Sequence, residues 1–323
     1  MKISIIIPVY NAAKTLPLCL ASLFKSTYPD FEVIVVDDAS TDNSREIINK
    51  FPCRWTFLEK NSGAAKARNL GAKQAHGDIF VFLDADVVVD PKALVHIVDA
   101  LAAYPHAHAL TGMLDLQRSP CNLYSDYKNI YMHYTFSKYI GEVDFLYGSL
   151  MAIHKKDFLP FDETYPVTDD TELGQRFKSL GKIIILSPLL KIVHLKEYSF
   201  FSLMRNDFCV PFWWARIYLT YHGTQDIFTK HRFSHSGTYQ IINIFLVYLI
   251  IASIPFGHDI RIGLAVSLLS LLYLCNNFNF FRFIERHKNN PFLIPYILLT
   301  FLDHLIMGMG VVCGFAYFGL RNK

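Results

Sequence analysis

Three long apolar stretches after residue 235 constrain this chain more than any other feature. Residues 238–256 and 262–281 carry no formal charge, and residues 292–319 carry only Asp303, next to His304. Each stretch reaches or exceeds the ~18–20 residues that a helix needs to cross a bilayer. Core helices of a soluble domain are the competing explanation, which three runs in succession with short polar breaks disfavour. Lys230, His231 and Arg232 precede the first run, and Arg282, Arg286, His287 and Lys288 follow the second. The positive-inside tendency assigns both clusters to the cytoplasmic side, with Gly257 to Arg261 outside. A third span would leave Arg321 and Lys323 outside, against that tendency, so a re-entrant third segment stays open. The expected division is a catalytic domain over 1–228 and a membrane domain over 229–323 with about three transmembrane helices.

The first half has a different rhythm. Ile3 to Val9, Phe31 to Val36, Trp55 to Leu58 and Ile79 to Leu83 read as strands. Leu16 to Phe24, a segment through Ile48 capped by Ser40, Thr41 or Asp42, and Gly63 to Ala75 closed by His76-Gly77 read as helices. Asp90-Pro91 opens another, with proline at its first position. Such alternation predicts an α/β fold, a mostly parallel sheet with helices on both faces. Further on, Ala107 to Leu114, Phe145 to Ile153 (interrupted by Gly148) and Lys182 to Leu186 read as strands. Leu123 to Tyr139 and Asp169 to Leu180 read as helices. The six cysteines (Cys19, Cys53, Cys121, Cys209, Cys275, Cys313) show no metal-type spacing and read as reduced, cytosol-facing thiols. The apolar start is too short for a signal peptide, so the catalytic half is expected on the cytoplasmic side of an inner (plasma) membrane. A net charge of +3 without a basic block speaks against nucleic acid as a partner.

The strand Ile79 to Leu83 runs into Asp84-Ala85-Asp86. Carboxylates at the carboxyl end of such a strand sit where open α/β sheets bind ligands. Two oxygen ligands there suit Mg²⁺ or Mn²⁺, which leave positions free for water and substrate phosphates. Asp-x-Asp is also an ordinary turn, so its neighbours decide. The first strand turns through Pro8-Val9-Tyr10-Asn11, without the glycines that let a dinucleotide pyrophosphate approach a helix. That argues against NAD, FAD and S-adenosylmethionine, and leaves phosphates to a metal on Asp84 and Asp86, helped by Arg68. Asp37-Asp38 ends the second strand on the same sheet edge, suited either to a nucleoside or to helix capping.

In order and spacing, Pro8-Val9-Tyr10-Asn11, Asp37 to Asp42, Asn61 to Asn69 and Asp84-Ala85-Asp86 resemble the family 2 inverting glycosyltransferases over roughly residues 2–200. The resemblance implies a GT-A fold, a nucleotide-diphosphate sugar donor, with a UDP-sugar favoured, and a divalent metal. It assigns Pro8, Tyr10 and Asp38 to the nucleoside, Asp84 to the ribose or sugar and the metal side, Asp86 to the metal, and Arg68 to the donor phosphates. The family's acidic pair falls on Asp169-Asp170, with Asp169 replacing the usual Glu and Asp170 matching the general base. Asp169 with Glu172 also reads as a capping box, and both can hold. Phe145 to Ser149 matches the acceptor side, where Gly148 admits either close backbone approach or a strand bulge. His194 matches a late histidine, read as a third metal ligand, a diphosphate contact or a core residue.

Phe200 to Tyr221, rich in aromatics with Arg205 and Arg216, reads as an interfacial segment or a buried domain-edge helix. Tyr124, Tyr127, Tyr131 and Tyr134 recur at helical spacing, as an acceptor-facing stripe, an interfacial face or plain packing. Asp303-His304 would be costly in a bilayer and is expected to face a bundle interior. Gly310 and Gly314 are spaced for close helix contact. The resulting expectation is a membrane-anchored, metal-dependent, inverting enzyme of cell-envelope polysaccharide chemistry, moving a sugar to a hydroxyl of a lipid or lipid-linked glycan. The alternatives are a polyprenyl-phosphate glycosyltransferase with a phosphate acceptor, and a non-catalytic sugar-nucleotide-binding membrane partner. A processive synthase is disfavoured because Trp213-Trp214-Ala215-Arg216 does not match a Gln-x-x-Arg-Trp motif.

Overall fold

The computed structural model describes residues 1–116, 122–222, 232–256, 258–288 and 293–321. Cys121, Lys230, His231, Gly257, Phe292 and Lys323, named above, lie outside them. The elements in chain order are β1 (Ile3–Val9), α1 (Leu16–Leu23), β2 (Phe31–Asp37), α2 (Ser44–Ile48), β3 (Arg54–Phe57), α3 (Ala64–Gln74), β4 (Ile79–Leu83), β5 (Val87–Val89) and α4 (Ala93–Ala103). Then come β6 (Ala109–Leu114), α5 (Leu123–Ser137), β7 (Gly141–Val143), β8 (Leu150–His154), α6 (Asp169–Ser179), β9 (Ile184–His194) and α7 (Phe200–Tyr221). A short hairpin, β10 (Arg232–Phe233) with β11 (Ser236–Gly237), precedes α8 (Thr238–Ser253), α9 (Ile260–Lys288) and α10 (Ile294–Arg321).

The chain divides into two compact units. One comprises Met1–Pro120 and Phe136–Glu197, the other Cys121–Thr135 and Tyr198–Lys323. Sequence reading set a boundary near residue 228, whereas packing groups α7 and most of α5 with the C-terminal helices.

The first unit is built on a nine-stranded sheet of order β3-β2-β1-β4-β8-β6-β9-β5, with β7 paired to β9. From β3 to β4 the pairing is parallel, as expected. Beyond β4 it is mixed, because β8 runs antiparallel to both β4 and β6. All seven residues of β1 are buried, as an apolar strand covered on both faces requires. Ile3, Ile5, Ile6 and Ile7 are each fully buried, worth about 2 kcal/mol apiece in apolar transfer. This buried set fixes the register Val9↔Asp37 and Ile6↔Phe82. It brings the ends of β1, β2 and β4 to one edge.

Several local expectations change. Asp42 accepts from the Ser44 N–H at the start of α2, but Ser40 and Thr41 lace the β2 loop to the β1 loop instead. His76-Gly77 does not cap α3: its C-cap is Ala75 in extended conformation. Gly77 is bare because a Cβ there would lie 2.7 Å from the Ser4 nitrogen. Pro91 lies ahead of α4, whose start is held by Asp90 accepting from the Lys92 and Ala93 N–H groups. Phe145 to Ser149 is loop rather than strand, and β8 begins at Leu150. The strand expected over Lys182 to Leu186 instead runs from Ile184 to His194, since β6 and β5 both pair with it.

In the second unit three helical stretches, Thr238–Phe256, Ile260–Lys288 and Ile294–Leu320, are long and apolar enough to cross a membrane. Asn243 and Asn277 exchange reciprocal amide hydrogen bonds of 2.9 and 3.0 Å between α8 and α9, satisfying groups that lipid cannot. α7 starts at a capping box in which Ser199 Oγ accepts from the Ser202 N–H and Ser202 Oγ accepts from the Ser199 N–H. It lies along α10, where a Cβ on Gly310 would meet the Phe208 carbonyl at 2.4 Å and one on Gly314 the Phe212 carbonyl at 2.4 Å. The two glycines therefore serve close helix contact, and α7 is their partner. The tyrosine stripe of α5 is spent on packing within this unit. Tyr127 donates to Asp303 at 2.8 Å, Tyr131 accepts from Gln240, and Tyr134 packs on Phe280 and Phe283. His304 lies 3.0 Å from the Tyr273 hydroxyl, so Asp303 and His304 face other helices rather than each other.

Candidate active site

The loops after β1, β2 and β4 converge on a cavity of about 700 Å³ in the first unit, lined by Pro8, Tyr10, Asn11, Asp38, Asp42, Asp84 and Asp86 among others. Two of these loops turn through left-handed backbone, at Asn11 (φ 49°) and Ala39 (φ 59°). Asn tolerates that region, but for Ala it is strained, and such strain gathers at functional sites. Cross-loop hydrogen bonds hold it: Asn11 N–H to Ser40 Oγ (3.0 Å), Thr41 N–H to Asn11 Oδ1 (2.8 Å) and Ala13 N–H to Asp42 Oδ2 (3.0 Å). Asp38 is buried, and its two oxygens accept from the Ser62 and Gly63 N–H groups at 2.7 and 2.8 Å. It thus fixes the turn that starts α3 as well as walling the cavity. Tyr10 is half exposed, its ring open to the cavity.

Asp84 and Asp86 follow β4 directly. His194 reaches them because β5 pairs antiparallel with β9, setting Val87 opposite His194, and the Leu195 N–H donates to the Asp86 carbonyl at 2.7 Å. His194 Nε2 lies 3.6 Å from Asp86 Oδ1, and one ligand atom from each of Asp84, Asp86 and His194 falls within 4.8 Å of the others. Two carboxylates and an imidazole at that spacing fit a divalent cation. Their electrostatics agree. Burial raises the Asp86 carboxyl above its ordinary value; His194 opposes this and the Asp84 charge adds to it. Burial also works against ionisation of Asp84, but Arg68 and then His194 outweigh it and hold its carboxyl low.

Arg68, Asp169, Gly148 and Ser149 lie buried behind the cavity lining, and Asp170 beside them is half-buried and still reaches solvent. Arg68 is buried. Its Nη1 donates to Asp169 Oδ2 at 2.5 Å and its Nη2 to Asp84 Oδ1 at 2.7 Å. Both ends of the guanidinium are thus committed to carboxylates. Asp169 does not form the expected capping box with Glu172: the N-cap is Thr168 without a side-chain bond, and Glu172 pairs with Arg176. Asp170 Oδ2 accepts from the Gly148 N–H at 2.7 Å, and Oδ1 from its neighbour Thr171 N–H at 2.6 Å. Burial, then the charge of Asp169, pushes the Asp170 carboxyl up to about 7, partly offset by those N–H groups and Arg68. Gly148 serves close approach, since a Cβ there would lie 3.1 Å from Asp170 Oδ2. Ser149 Oγ donates to Asp84 Oδ2 at 3.1 Å, a contact sequence reasoning missed. It depends on the β4–β8 pairing of Leu83 with Leu150, which no local motif announces. Lys196 and Glu197, also at the cavity, went unread for the same reason.

This arrangement, an open α/β sheet edge with Asp-x-Asp at a strand end beside a polar cavity, fits the GT-A fold expected from the sequence. Residues 4–158 match the family model "Glycosyl transferase family 2". Over 114 residues it is 37% identical to a poly-beta-1,6-N-acetyl-D-glucosamine synthase of Staphylococcus epidermidis, covering 34% of this chain and 28% of that one. Over 101 residues it is 42% identical to the poly(ribitol-phosphate) beta-N-acetylglucosaminyltransferase TarS of Staphylococcus aureus, covering 29% of this chain and 18% of that one. The chain therefore matches less than a third of these relatives' own length. Among solved structures, a mannosyltransferase of Pyrobaculum calidifontis in complex with GDP-Man and Mn²⁺ superposes with a TM-score of 0.53 at 18% identity, covering 100% of this chain and 88% of that one. S. aureus TarS in complex with UDP gives 0.50 at 22% identity, covering 99% and 92%. At these identities the likeness is one of fold.

Proposed function

We propose that the chain is a membrane-anchored, inverting glycosyltransferase that moves a sugar from a nucleotide-diphosphate sugar, with a UDP-sugar favoured, to a hydroxyl of a lipid or lipid-linked glycan. The observation that carries this reading is the Asp84, Asp86 and His194 cluster, whose two carboxylates wall the cavity shared with Pro8, Tyr10 and Asp38. The exposed Tyr10 ring offers a face for a nucleobase. Asp84, Asp86 and His194 would hold Mg²⁺ or Mn²⁺, which when bound supplies positive charge to the departing diphosphate.

The remaining chemistry belongs to the chain itself. The acceptor hydroxyl attacks the anomeric carbon from the face opposite the diphosphate, and the carbon–oxygen bond to the diphosphate breaks with its electron pair leaving on oxygen. Asp170 takes the hydroxyl proton. A carboxyl raised to about 7 is a far better proton acceptor than an ordinary aspartate. That favours a hydroxyl over an already anionic phosphate acceptor. The three apolar helices support a multi-pass anchor, with the catalytic unit on the cytoplasmic face. The test is turnover of a nucleotide-sugar panel by the purified full chain with membrane lipid extract, read by mass spectrometry. A sugar-sized mass gain on a lipid, lost in Asp170→Asn, supports the reading. Transfer only to soluble sugars, or undiminished transfer by Asp170→Asn, contradicts it.

A further inference from the structure

Arg68 was expected at the donor phosphates, yet its side chain does not line the cavity. It lies buried between two carboxylates from distant parts of the chain. Asp84 follows β4, and Asp169 opens α6, next to Asp170. The guanidinium presents one terminal nitrogen to each, at 2.7 and 2.5 Å. Its carbon lies 5.5 Å from the centre of the Phe161 ring, which helps hold the plane. A second link runs beside the first: Ser149 Oγ donates to Asp84, and the adjacent Gly148 N–H donates to Asp170. The space between the two links is tight: a Cβ on Gly148 would lie 3.1 Å from Asp170 Oδ2 and 3.2 Å from Arg68 Nη2, so either side chain would have to shift to admit it.

From this closed circuit we infer that Arg68 is a positioning residue, a two-ended clamp that sets the Asp84 side of the metal site at a fixed distance from the Asp169-Asp170 turn. The inference rests on the glycosyltransferase reading above. A planar fork with donors at both ends can satisfy two carboxylates in fixed directions, which a lysine ammonium at the end of a flexible stem cannot reproduce. The clamp matters because the two reacting partners are held by opposite ends of the circuit, and a misplacement of about 1 Å costs on the order of 10²-fold in rate.

The test uses the purified full chain and the variants Arg68→Lys, Asp169→Asn and the double variant. Two readouts are taken: calorimetric binding of UDP with Mn²⁺, and kcat and KM for the donor. A clamp lowers kcat about 10²-fold in Arg68→Lys while UDP·Mn²⁺ affinity stays within about threefold. It also makes the double variant no worse than the poorer single, because both remove the same link. A phosphate ligand gives the opposite pattern: UDP·Mn²⁺ affinity falls tenfold or more, and the two losses multiply. That result overturns the inference. Arg68→Met, which can also cost stability, is followed by thermal unfolding so that loss of fold is not mistaken for loss of position. A wild-type chain that turns over no nucleotide sugar refutes the glycosyltransferase reading, while the UDP·Mn²⁺ comparison still decides between clamp and phosphate ligand.

Discussion

The first unit gathers Asp84, Asp86, Asp169 and Asp170, and among the described residues Arg68 is the one permanent cation in an ion pair with any of them. The second unit buries Asp126, Asp207 and Asp303 and gives each at least one partner within the unit, although among the described residues Asp207 Oδ2 and Asp303 Oδ1 accept no hydrogen bond. Asp126 takes Lys288 and Tyr296, Asp207 takes Lys128 and Asn206, and Asp303 takes Tyr127. The same residue type has two fates. In the helical unit, carboxylates tie helices together where an unpaired charge is costly. At the sheet edge, the one guanidinium pairs with only two of the four carboxylates, and Asp86 faces an open cavity with His194 and Lys196 near it. A divalent cation held by Asp84, Asp86 and His194 would offset that negative charge and make room for an anionic ligand beside it.

The contrast breaks most sharply at Asp86. Asp86→Asn, or chelation by EDTA, is expected to lower transfer at least 10³-fold in a steady-state assay, with Mn²⁺ restoring only the chelated wild type. The pH profile comes next. Asp170 acts as a base only when ionised, and its carboxyl sits at about 7. Turnover should therefore fall about tenfold per pH unit below about 7 and level off above it. A profile flat from pH 5 to 8 would mean that Asp170 does not carry the proton. In the second unit, Asp207→Ala leaves Lys128 buried without its carboxylate. It should cost about 3 kcal/mol in thermal unfolding, with Mn²⁺ binding unchanged. Ser149→Ala removes one hydrogen bond to Asp84, worth about 1 kcal/mol, and should slow turnover only a few-fold.

Much of this contrast was legible in the sequence, but unevenly. Strand β1 and the run into Asp84 announce themselves because an apolar segment that ends in carboxylates has few other solutions. The three apolar helices do so by length alone. Asp84 and Asp86 read as a cation site from the strand that ends in them, whereas His194 joins them only through the family resemblance; the β5–β9 pairing brings the three together. The partners of Arg68 were not legible. Asp169 lies 101 positions away, and nothing local distinguishes an arginine that binds phosphate from one that bridges carboxylates. The capping box at Asp169 failed for the same reason: a local pattern lost to a buried long-range ion pair. The tyrosine stripe of α5 and the acids of α7 and α10 carried a clear period, but their role in uniting α5 with the C-terminal helices depends on which faces meet.

Mn²⁺ binding to the full chain reads the Asp84, Asp86 and His194 cluster at the end of β4 directly, without any assumption about substrate. Electron paramagnetic resonance titration, with and without UDP, compares the wild type with Asp86→Asn and Asp207→Asn. The expected result is one Mn²⁺ site that tightens with UDP, weakens at least tenfold in Asp86→Asn and is untouched in Asp207→Asn. Equal Mn²⁺ affinity in the wild type and Asp86→Asn would contradict it.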